Sequence, residues 1–298
     1  TAWTATNGDT TFDAVVSPVV PGSVADKAQT AAVTDLNADS ADVNETVTYT
    51  KVGSLVPSSS DGNFPGAPTV VYPNDPSDAT KVTPASVPTV PGYTAHDPEG
   101  HVLTPGSSYQ PSDPTKDTTI TYTADTQKGS VSYVDDTTGK TLKTDSISGT
   151  TGSKSSYSTS GSIADYKKQG YELVTDGYPA DLTFDNDDTT DQNFTVHLKH
   201  RLTPVNPTDP QTPGTPINPD EPDGPKWPTS TNYDKTVNET ISYVDQNKNA
   251  VAKQHTDSVN FTRTVVVDNV TGEVITSGAG TTAWTATNGD TTFDAVVS

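Results

Sequence analysis

The sequence predicts a mainly β, elongated fold built of several small modules. Only 30% of the residues are hydrophobic and the mean hydropathy is −0.59, so each module has to manage with a small core. Threonine, serine, valine, aspartate and proline dominate the composition, and β-branched residues favour strands over helices. The length suits roughly three or four such modules.

A perfect repeat joins the two ends of the sequence. Residues 1–17 read TAWTATNGDTTFDAVVS, and residues 282–298 read the same without a change. Identity over this length indicates recent duplication, so we expect a slice of a tandem array whose limits fall inside a domain. Long identical repeats are typical of surface adhesins and stalks and untypical of enzymes, which need one site.

The two end segments are expected to be parts of one kind of β domain. Residues 1–52 would be its C-terminal part and residues 229–298 its N-terminal part. The valines at 265–267 and the turn at 269–272 indicate a hairpin. Since both segments carry the repeated stretch, the open sheet of one molecule can be completed by the other end of a neighbour. Head-to-tail self-association is therefore predicted.

Residues 53–127 are predicted to form a proline-rich β connector module with long loops. They carry many prolines and Asp-Gly or Asn-Asp turn signals. One motif recurs here: Val20-Pro21-Gly22 followed by VTYT (47–50) is mirrored by Val90-Pro91-Gly92 followed by ITYT (120–123). Each echo indicates a strand bounded by a turn.

Residues 128–202 form the best delimited module. Two strands, a serine-rich loop, a short helix and two more strands follow one another, and this order is that of a β-grasp. SIADYKKQG indicates the helix, with Ser162 able to cap its start and Gly170 ending it. Ile163 and Tyr166 would share one helix face.

Residues 203–228 have a proline at every third position. A polyproline II helix has three residues per turn, and prolines are excluded from a sheet interior, so a semi-rigid linker is predicted. It would span roughly 80 Å if fully extended. Trp227 could anchor the linker onto the next domain. A PxxP ligand for an aromatic groove fits the same spacing.

Charge and composition exclude several classes of partner and chemistry. The formal net charge is −21 and no basic stripe is present, so nucleic acid and anionic lipid are poor partners. Besides keeping the chain solvated, these carboxylates could make adhesion to an acidic glycoprotein pH-dependent. No Cys is present to form a disulfide, and no signal peptide, lipidation motif or long apolar run occurs.

The sequence carries no enzyme signature. GxSxG, HExxH, phosphate-loop and CxxC motifs are absent, and no feature selects a pair of carboxylates for glycoside hydrolysis. His197 and His200 are three apart in a predicted strand and would face opposite sides, which disfavours a shared metal. A non-enzymatic protein without a cofactor is predicted.

The motifs VNETISYVD, NFTRTVVVDNVTGEV, AWTATNG and FDAVVSPVVPG resemble the second domain of the mucus-binding repeats of lactic-acid-bacterial surface adhesins. SYVDDTTGKTL, KKQGYELV and NFTVHLKH, between residues 129 and 200, resemble the mucin-binding first domain of these repeats. Residues 53–127 resemble their proline-rich connecting segment. The resemblance implies an elongated, extracellular adhesin anchored to the cell wall of a Gram-positive bacterium.

The predicted function is adhesion to host mucin glycoproteins through many weak contacts, with residues 128–202 as the contact module. A structural stalk that projects another adhesive domain is the alternative. Capture of immunoglobulin on a sheet edge is a third option, which rests on analogy with other β-grasp modules.

Two groups of residues are candidate sites. Flat rings beside hydrogen-bonding groups suit sugar recognition, and tyrosines of strands also serve as core residues. The candidate glycan contacts are Tyr157, Tyr166, Tyr171, Tyr178, Asp176 and Asn193. Clustered carboxylates are hard oxygen ligands for calcium, although this loop lacks the glycine and closing glutamate of an EF-hand and can equally be a plain turn. The candidate calcium ligands are Asp185, Asp187, Asp188 and Asp191.

Overall fold

The structure is a computed structural model that describes residues 1–297. It confirms the mainly β fold with one short α-helix. The chain divides into two compact units. Unit 1 comprises Thr1–Gly129, Ser148–Ser155 and Asp181–Gln192, and unit 2 comprises Ser130–Ile147, Ser156–Ala180 and the chain from Asn193 onward.

Unit 1 is built on a five-stranded sheet and two small strand pairs. Its strands are β1 (Ser23–Ala25), β2 (Tyr49–Lys51), β3 (Ser54–Ser58), β4 (Val70–Val71), β5 (Ala85–Ser86), β6 (Tyr93–His96), β7 (Val102–Leu103), β8 (Ser108–Tyr109) and β9 (Thr118–Ala124). The order in the large sheet is β4-β3-β9-β6-β7, while β1 pairs with β2 and β5 with β8. Its core includes Leu55, Tyr72, Ile120 and Tyr122, each of which is only 1% exposed.

The sequence echo in unit 1 is also a structural repeat. Gly22 and Gly92 both adopt a positive φ, of 80° and 79°, which glycine tolerates without strain. The carbonyl of Gly22 accepts a hydrogen bond from Val52 N at 3.0 Å, and that of Gly92 accepts one from Asp125 N at 2.9 Å. Each glycine thus leads into an antiparallel strand pair, β1 with β2 and β6 with β9.

The tyrosines of the two echoed motifs fix their turns in the same way. The Tyr49 hydroxyl donates to the carbonyl of Pro18 at 2.6 Å, and the Tyr122 hydroxyl donates to that of Pro88 at 2.6 Å. Each proline lies two residues before the Val-Pro-Gly turn. The P-x-V-P-G and [VI]-T-Y-T segments therefore form one recurring building block.

A sheet whose residues belong mostly to unit 2 has the predicted order of two strands, a helix and two strands. These are β10 (Thr126–Asp135), β11 (Lys140–Thr150), α1 (Ser160–Lys168), β12 (Tyr171–Asp176) and β13 (Gln192–His200). The sheet order is β11-β10-β13-β12, so the first and last strands are central, as in a β-grasp. We call these elements the four-stranded module. At nine residues, α1 is too short to cross a bilayer, and the described chain has no other α-helix.

The start of α1 differs from the sequence prediction. The helix begins at Ser160, with Thr159 at the capping position, and no side chain caps it. Ser162 lies inside the first turn, where its hydroxyl accepts a hydrogen bond from Lys143 Nζ at 2.6 Å. The predicted end is correct, because Gly170 follows the last turn with a φ of 100°. A Cβ at Gly170 would lie 2.5 Å from the carbonyl oxygen of Asn269, so the position needs glycine for space as well.

The second part of unit 2 contains two three-stranded sheets. Its strands are β14 (Leu202–Val205), β15 (Asp234–Val244), β16 (Ala250–Thr262), β17 (Val265–Asp268), β18 (Val274–Ile275) and β19 (Thr285–Ala286), with a 3-10 turn at Ser230–Asn232. The sheet orders are β14-β17-β18 and β15-β16-β19. β17 and β18 form the hairpin expected around residues 265–275.

Residues 203–228 differ from a fully extended polyproline spacer. The segment starts in β14, where Val205 is buried and pairs with Val265. β14 is an edge strand, which is where a sheet tolerates Pro204. Farther on, Ile217 N donates to the carbonyl of Pro225 at 2.8 Å, so the chain turns back on itself.

Apolar side chains explain this departure. Ile217 and Trp227 pack against a cluster of Val205, Tyr233 and Val267. An extended segment would leave these side chains in water, so burial favours the folded form over the regular proline helix. Trp227 holds the segment onto the strands that follow, as the sequence suggested.

Candidate functional site

Tyrosines of the four-stranded module form a line of rings that begins in its core. Tyr171 is 9% exposed, and its ring contacts Tyr166 and His200 edge to face at centroid distances of 5.6 and 5.3 Å. The Tyr166 ring lies 5.7 Å from that of Tyr133, which is fully buried. Burial raises the pKa of the Tyr166 and Tyr171 hydroxyls. Tyr171 therefore packs the core and offers no ring face to a sugar, contrary to its place among the candidate contacts.

The same line of rings continues toward the surface. The hydroxyls of Tyr133 and Tyr157 are 2.6 Å apart, and Tyr157 Oη donates to Asp145 Oδ2 at 2.7 Å. Burial, together with these two partners, raises the pKa of Tyr157. Tyr157 meets Tyr178 at a centroid distance of 5.3 Å, and Tyr178 meets Phe194 at 5.5 Å. These last three rings are half-buried, so they remain partly open to solvent.

Asp176 lies beside this open end. Its Oδ2 accepts a hydrogen bond from Thr159 Oγ1 at 2.6 Å, and its Oδ1 accepts one from Tyr178 N at 3.0 Å. The bond from Thr159 ties the end of β12 to the start of α1, and both bonds hold the carboxylate in place. A carboxylate has about four acceptor positions, so it keeps capacity for further donors.

The strand that carries Asp176 also has exposed apolar side chains. β12 is an edge strand, and its Leu173 and Val174 are 36% and 45% exposed. The β12 surface is our name for Tyr157, Leu173, Val174, Asp176, Tyr178 and Phe194. It combines ring faces, a fixed acceptor and an unpaired strand edge.

Asn193 lies away from the β12 surface. Its neighbour Phe194 is on the inner face of β13 with Val196 and Leu198, and successive strand residues point to opposite faces. Asn193 is therefore on the outer face, where its Oδ1 accepts a hydrogen bond from Ser130 Oγ at 2.7 Å. Of the six candidate glycan contacts, the structure brings together Tyr157, Tyr178 and Asp176 at the surface.

At the inner end of the line of rings, a buried histidine lies between two carboxylates. His200 Nε2 is 2.6 Å from Asp135 Oδ2, and its Nδ1 is 2.6 Å from Asp268 Oδ2. Burial opposes the charge, but the bonds to Asp268 and Asp135 raise the pKa of His200 above its usual range. Burial acts against ionisation of Asp135 as well, yet its bonds to His200 and Thr138 lower its pKa. The cluster is a structural ion triad.

The other histidine of this strand has a different environment. His197 Nδ1 is 2.8 Å from Asp136 Oδ1, and the two side chains are 42% and 39% exposed. His197 and His200 thus take separate partners on opposite sides of the sheet. No shared metal position exists for them.

The loop at 185–191 does not gather its carboxylates. Among the described residues, no three of its four aspartates bring oxygens within 4.8 Å of one another. Asp185 Oδ1 and Asp187 Oδ1 accept hydrogen bonds from the backbone two residues ahead, which is a turn pattern. Asp188 Oδ1 accepts from Gln127 Nε2 at 2.6 Å, and Asp191 joins no cluster. The four aspartates therefore do not form a ready-made cluster, and calcium binding at this loop stays a prediction.

Two other groups could offer ligand atoms to a metal ion within the described chain. Asp97, Glu99 and His101 lie on one tight turn, and Glu239, His255 and Asp257 lie across β15 and β16. His101 is largely exposed and already lies 3.1 Å from Asp97 Oδ2. These groups are pairs of carboxylates with a histidine, which occur commonly on protein surfaces without an ion.

Sequence reasoning missed three residues of the β12 surface and the ion triad. Phe194 could have been found, because the alternation in NFTVHLKH places it on the face of Val196 and Leu198. The exposure of Leu173 and Val174 had no signal, since an edge strand cannot be told from a central one by its own sequence. The triad joins residues 65 and 68 positions apart, beyond the reach of local patterns.

Comparison with known proteins identifies the family. Residues 127–200 match the model of a mucin binding domain, and residues 1–53 and 228–298 match that of a Muc B2-like domain. The chain is 36% identical to the type 2 repeat of the mucus binding protein MUB from Lactobacillus reuteri, covering 53% of this chain and 74% of that chain with a TM-score of 0.37. It is 35% identical to Mub-RV, covering 54% and 73% with a TM-score of 0.40. No curated protein matches significantly. The chain belongs to the family of mucus-binding repeats, which are non-enzymatic adhesion domains of cell-surface proteins.

Proposed function

We propose that the four-stranded module binds glycans of host mucins through the β12 surface. The observation that carries the proposal is the set formed by the half-buried rings of Tyr157 and Tyr178 beside the fixed carboxylate of Asp176. The apolar face of a sugar ring packs on an aromatic ring, while its hydroxyls donate to a carboxylate. The β12 surface offers both the aromatic rings and the carboxylate.

The patch offers only a part of each ring to a ligand, and this limits the strength of one contact. Its rings are half-buried, and it adds one carboxylate and one edge strand. A single site of this kind binds weakly. The identical stretches 1–17 and 282–298 support an array in which many such sites act together, so that retention on mucus comes from avidity.

The cellular setting follows from the same reasoning. An array of weak sites holds a cell on mucus only if the array is fixed to the cell, so we place the protein on the wall of a Gram-positive bacterium. The net charge of −21 repels sialylated or sulfated glycans at neutral pH. Neutral sugars, or acidic ones at low pH, are the preferred ligands.

Retention of the full chain on immobilised mucin tests this proposal. We expect Tyr178→Ala to lower retention by about fivefold or more, as for a central contact residue. Asn193→Ala is the matched control, because it changes a polar residue on the outer face of the same sheet and should leave retention unchanged. Both variants should keep the circular dichroism spectrum of the parent.

The alternative of a structural stalk has a distinct outcome. A stalk predicts that the unmodified chain shows no retention on mucin above that on an uncoated surface, even at high surface density. Equal loss in both variants would place the contact elsewhere and contradict the β12 surface.

A further inference from the structure

A cavity of about 170 Å³ lies beside the five-stranded sheet of unit 1, next to β6 and β7. Its buried lining is mostly apolar and includes Val87, Val90 and Ala95. Val102 and Thr104 also line the cavity, and because both are exposed they mark the side that is open to solvent. Protein interiors are otherwise closely packed, so an apolar cavity of this size is room for a small ligand.

Two carboxylates complete the lining of this cavity. Asp125 follows β9, and Asp188 belongs to the loop at 185–191. The two carboxyl groups interact directly with each other. Asp125 Oδ1 also accepts a hydrogen bond from Thr94 Oγ1 at 2.5 Å, and Asp188 Oδ1 accepts one from Gln127 Nε2 at 2.6 Å. These bonds hold both carboxylates at the wall of the cavity.

Gly92 allows the loop to reach this place. Its φ is 79°, and an added Cβ would lie 2.7 Å from Thr151 Cγ2 and 2.8 Å from Asn186 Cβ. The loop therefore packs directly on the backbone of Gly92, two residues away from Asp188. Any side chain at position 92 would push the loop outward, and Asp188 would leave the cavity with it.

No lysine or arginine neutralises the two carboxylates within the described chain, since the ion pairs of its basic side chains involve other acids. His96 is a basic group whose charge acts on Asp125, and its Nδ1 faces the carbonyl of Thr121 at 3.3 Å. Burial raises the pKa of Asp125, and the neighbouring Asp188 adds to this against the bond from Thr94. A cation here would offset the repulsion between the carboxylates and supply donors to them.

We propose that this cavity binds a primary ammonium group carried on a short aliphatic chain. The chain packs on Val87, Val90 and Ala95, and the ammonium donates to Asp125 and Asp188. An ammonium has three donors and each carboxylate keeps free acceptor positions, so one nitrogen serves both groups. A cavity of about 150 Å³ takes a six-carbon ring, so a chain of about five carbons fits. A metal ion alone would leave the apolar side of the cavity unused.

An NMR titration of the ¹⁵N-labelled full chain with n-pentylammonium chloride tests the proposal. We expect saturable shifts at the amides of Ala95, Val102 and Asp125 at millimolar ligand. n-Pentanol has the same chain without the charge and should bind about tenfold more weakly. Nα-acetyl-lysine methylamide is the third probe. If it binds as well, the cavity accepts the lysine side chain of a polypeptide, and if only n-pentylammonium binds, the ligand is a free amine.

Matched variants separate the charge from the shape of the cavity. Asp188→Asn keeps an acceptor for Gln127 and removes the charge, so it should weaken n-pentylammonium binding about tenfold and leave n-pentanol unaffected. Asp187→Asn removes a charge of the same loop outside the cavity and should change the affinity by less than about twofold. Ala95→Leu fills the cavity and should abolish binding of both ligands.

Circular dichroism checks that each variant keeps the fold of the parent. The proposal is overturned if n-pentylammonium leaves the signals of Ala95, Val102 and Asp125 unchanged, or if n-pentanol binds as tightly as the ammonium. Equal losses in Asp187→Asn and Asp188→Asn would also overturn it, because they would show attraction to the acidic chain as a whole.

Discussion

The inner and outer ends of the ring line in the four-stranded module use the same residue type for different purposes. At the inner end, Tyr171 is 9% exposed and contacts a histidine fixed by two buried carboxylates. At the outer end, Tyr178 is half-buried beside an exposed edge strand. Tyr171 is covered by neighbouring elements and holds the fold, whereas the ring of Tyr178 stays partly open to solvent, a difference that the residue type alone does not reveal.

The largest expected effect is at the inner end. His200→Ala leaves Asp135 and Asp268 buried without their shared partner, so the free energy of unfolding should fall by about 3–5 kcal/mol. His197→Ala is the control, since it breaks an exposed pair on the same strand and should cost about 1 kcal/mol or less. Urea denaturation measures both. Similar losses in the two variants would contradict the contrast.

The next effect compares two tyrosines directly. Tyr171→Ala opens a cavity in the core and should lower the free energy of unfolding by about 3–5 kcal/mol. Tyr178→Ala removes a half-buried ring and should cost about 1 kcal/mol or less while it weakens mucin binding. Thermal denaturation and mucin retention, measured on both proteins, separate the roles. A stability loss in Tyr178→Ala equal to that in Tyr171→Ala would count against its assignment to the surface.

The pH dependence of stability tests whether the buried histidine and its two carboxylates form an ion triad. The folded pKa of His200 is raised, so its contribution is complete below the unfolded value of about 6.5 and is lost as pH rises through the folded pKa. The folded pKa of Asp135 is lowered, so its contribution is present above about 3.8 and is lost as pH falls through its folded value. The difference in Tm between the parent and His200→Ala should therefore shrink as pH rises from about 6 to 9. A difference that grows over this range would contradict the ion triad.

A smaller effect concerns the outer surface and its charge. As carboxylates take up protons toward their reference pKa of about 4, repulsion from an acidic glycoprotein declines. Retention on sialylated mucin should increase from pH 7 to pH 4.5 by about twofold to tenfold, with the circular dichroism spectrum unchanged. Desialylated mucin is the control and should show a flatter profile. Equal profiles on both mucins would remove charge as the cause.

The smallest expected effect is that of calcium. Because the aspartates between 185 and 191 do not converge, excess Ca²⁺ or a chelator should leave the Tm of the chain unchanged within about 1 °C. Differential scanning calorimetry gives the result. A clear rise with Ca²⁺ that Asp187→Asn abolishes would restore the loop as a calcium site.

Much of the fold could be predicted from local sequence. Alternating strands, the turn at Gly92 and the helix that ends at Gly170 all depend on neighbouring residues, and all are present. The conformation of residues 203–228 was harder to predict. The packing of Ile217 and Trp227 on distant valines overrides the preference of the prolines for an extended helix. Local propensity is a weak guide where tertiary burial competes with it.

The candidate site was predictable only in part. The tyrosines that form the line of rings are concentrated in one module of the sequence, and Asp176 and Tyr178 lie together because they are close in sequence. Asn193 lies on the outer face of the sheet, which the period of two in β13 could have indicated. Tyr171 looked like Tyr178 in sequence, since the burial of a ring depends on which elements cover it.

The central claim is that the β12 surface contacts mucin glycans, and an NMR titration tests it most directly. Released mucin O-glycans would be added to the ¹⁵N-labelled full chain while the amide signals are followed. The account predicts saturable shifts at Leu173, Val174, Gly177 and Tyr178. Shifts confined to the outer face around Ser130 and Asn193, or none at millimolar glycan, would contradict it.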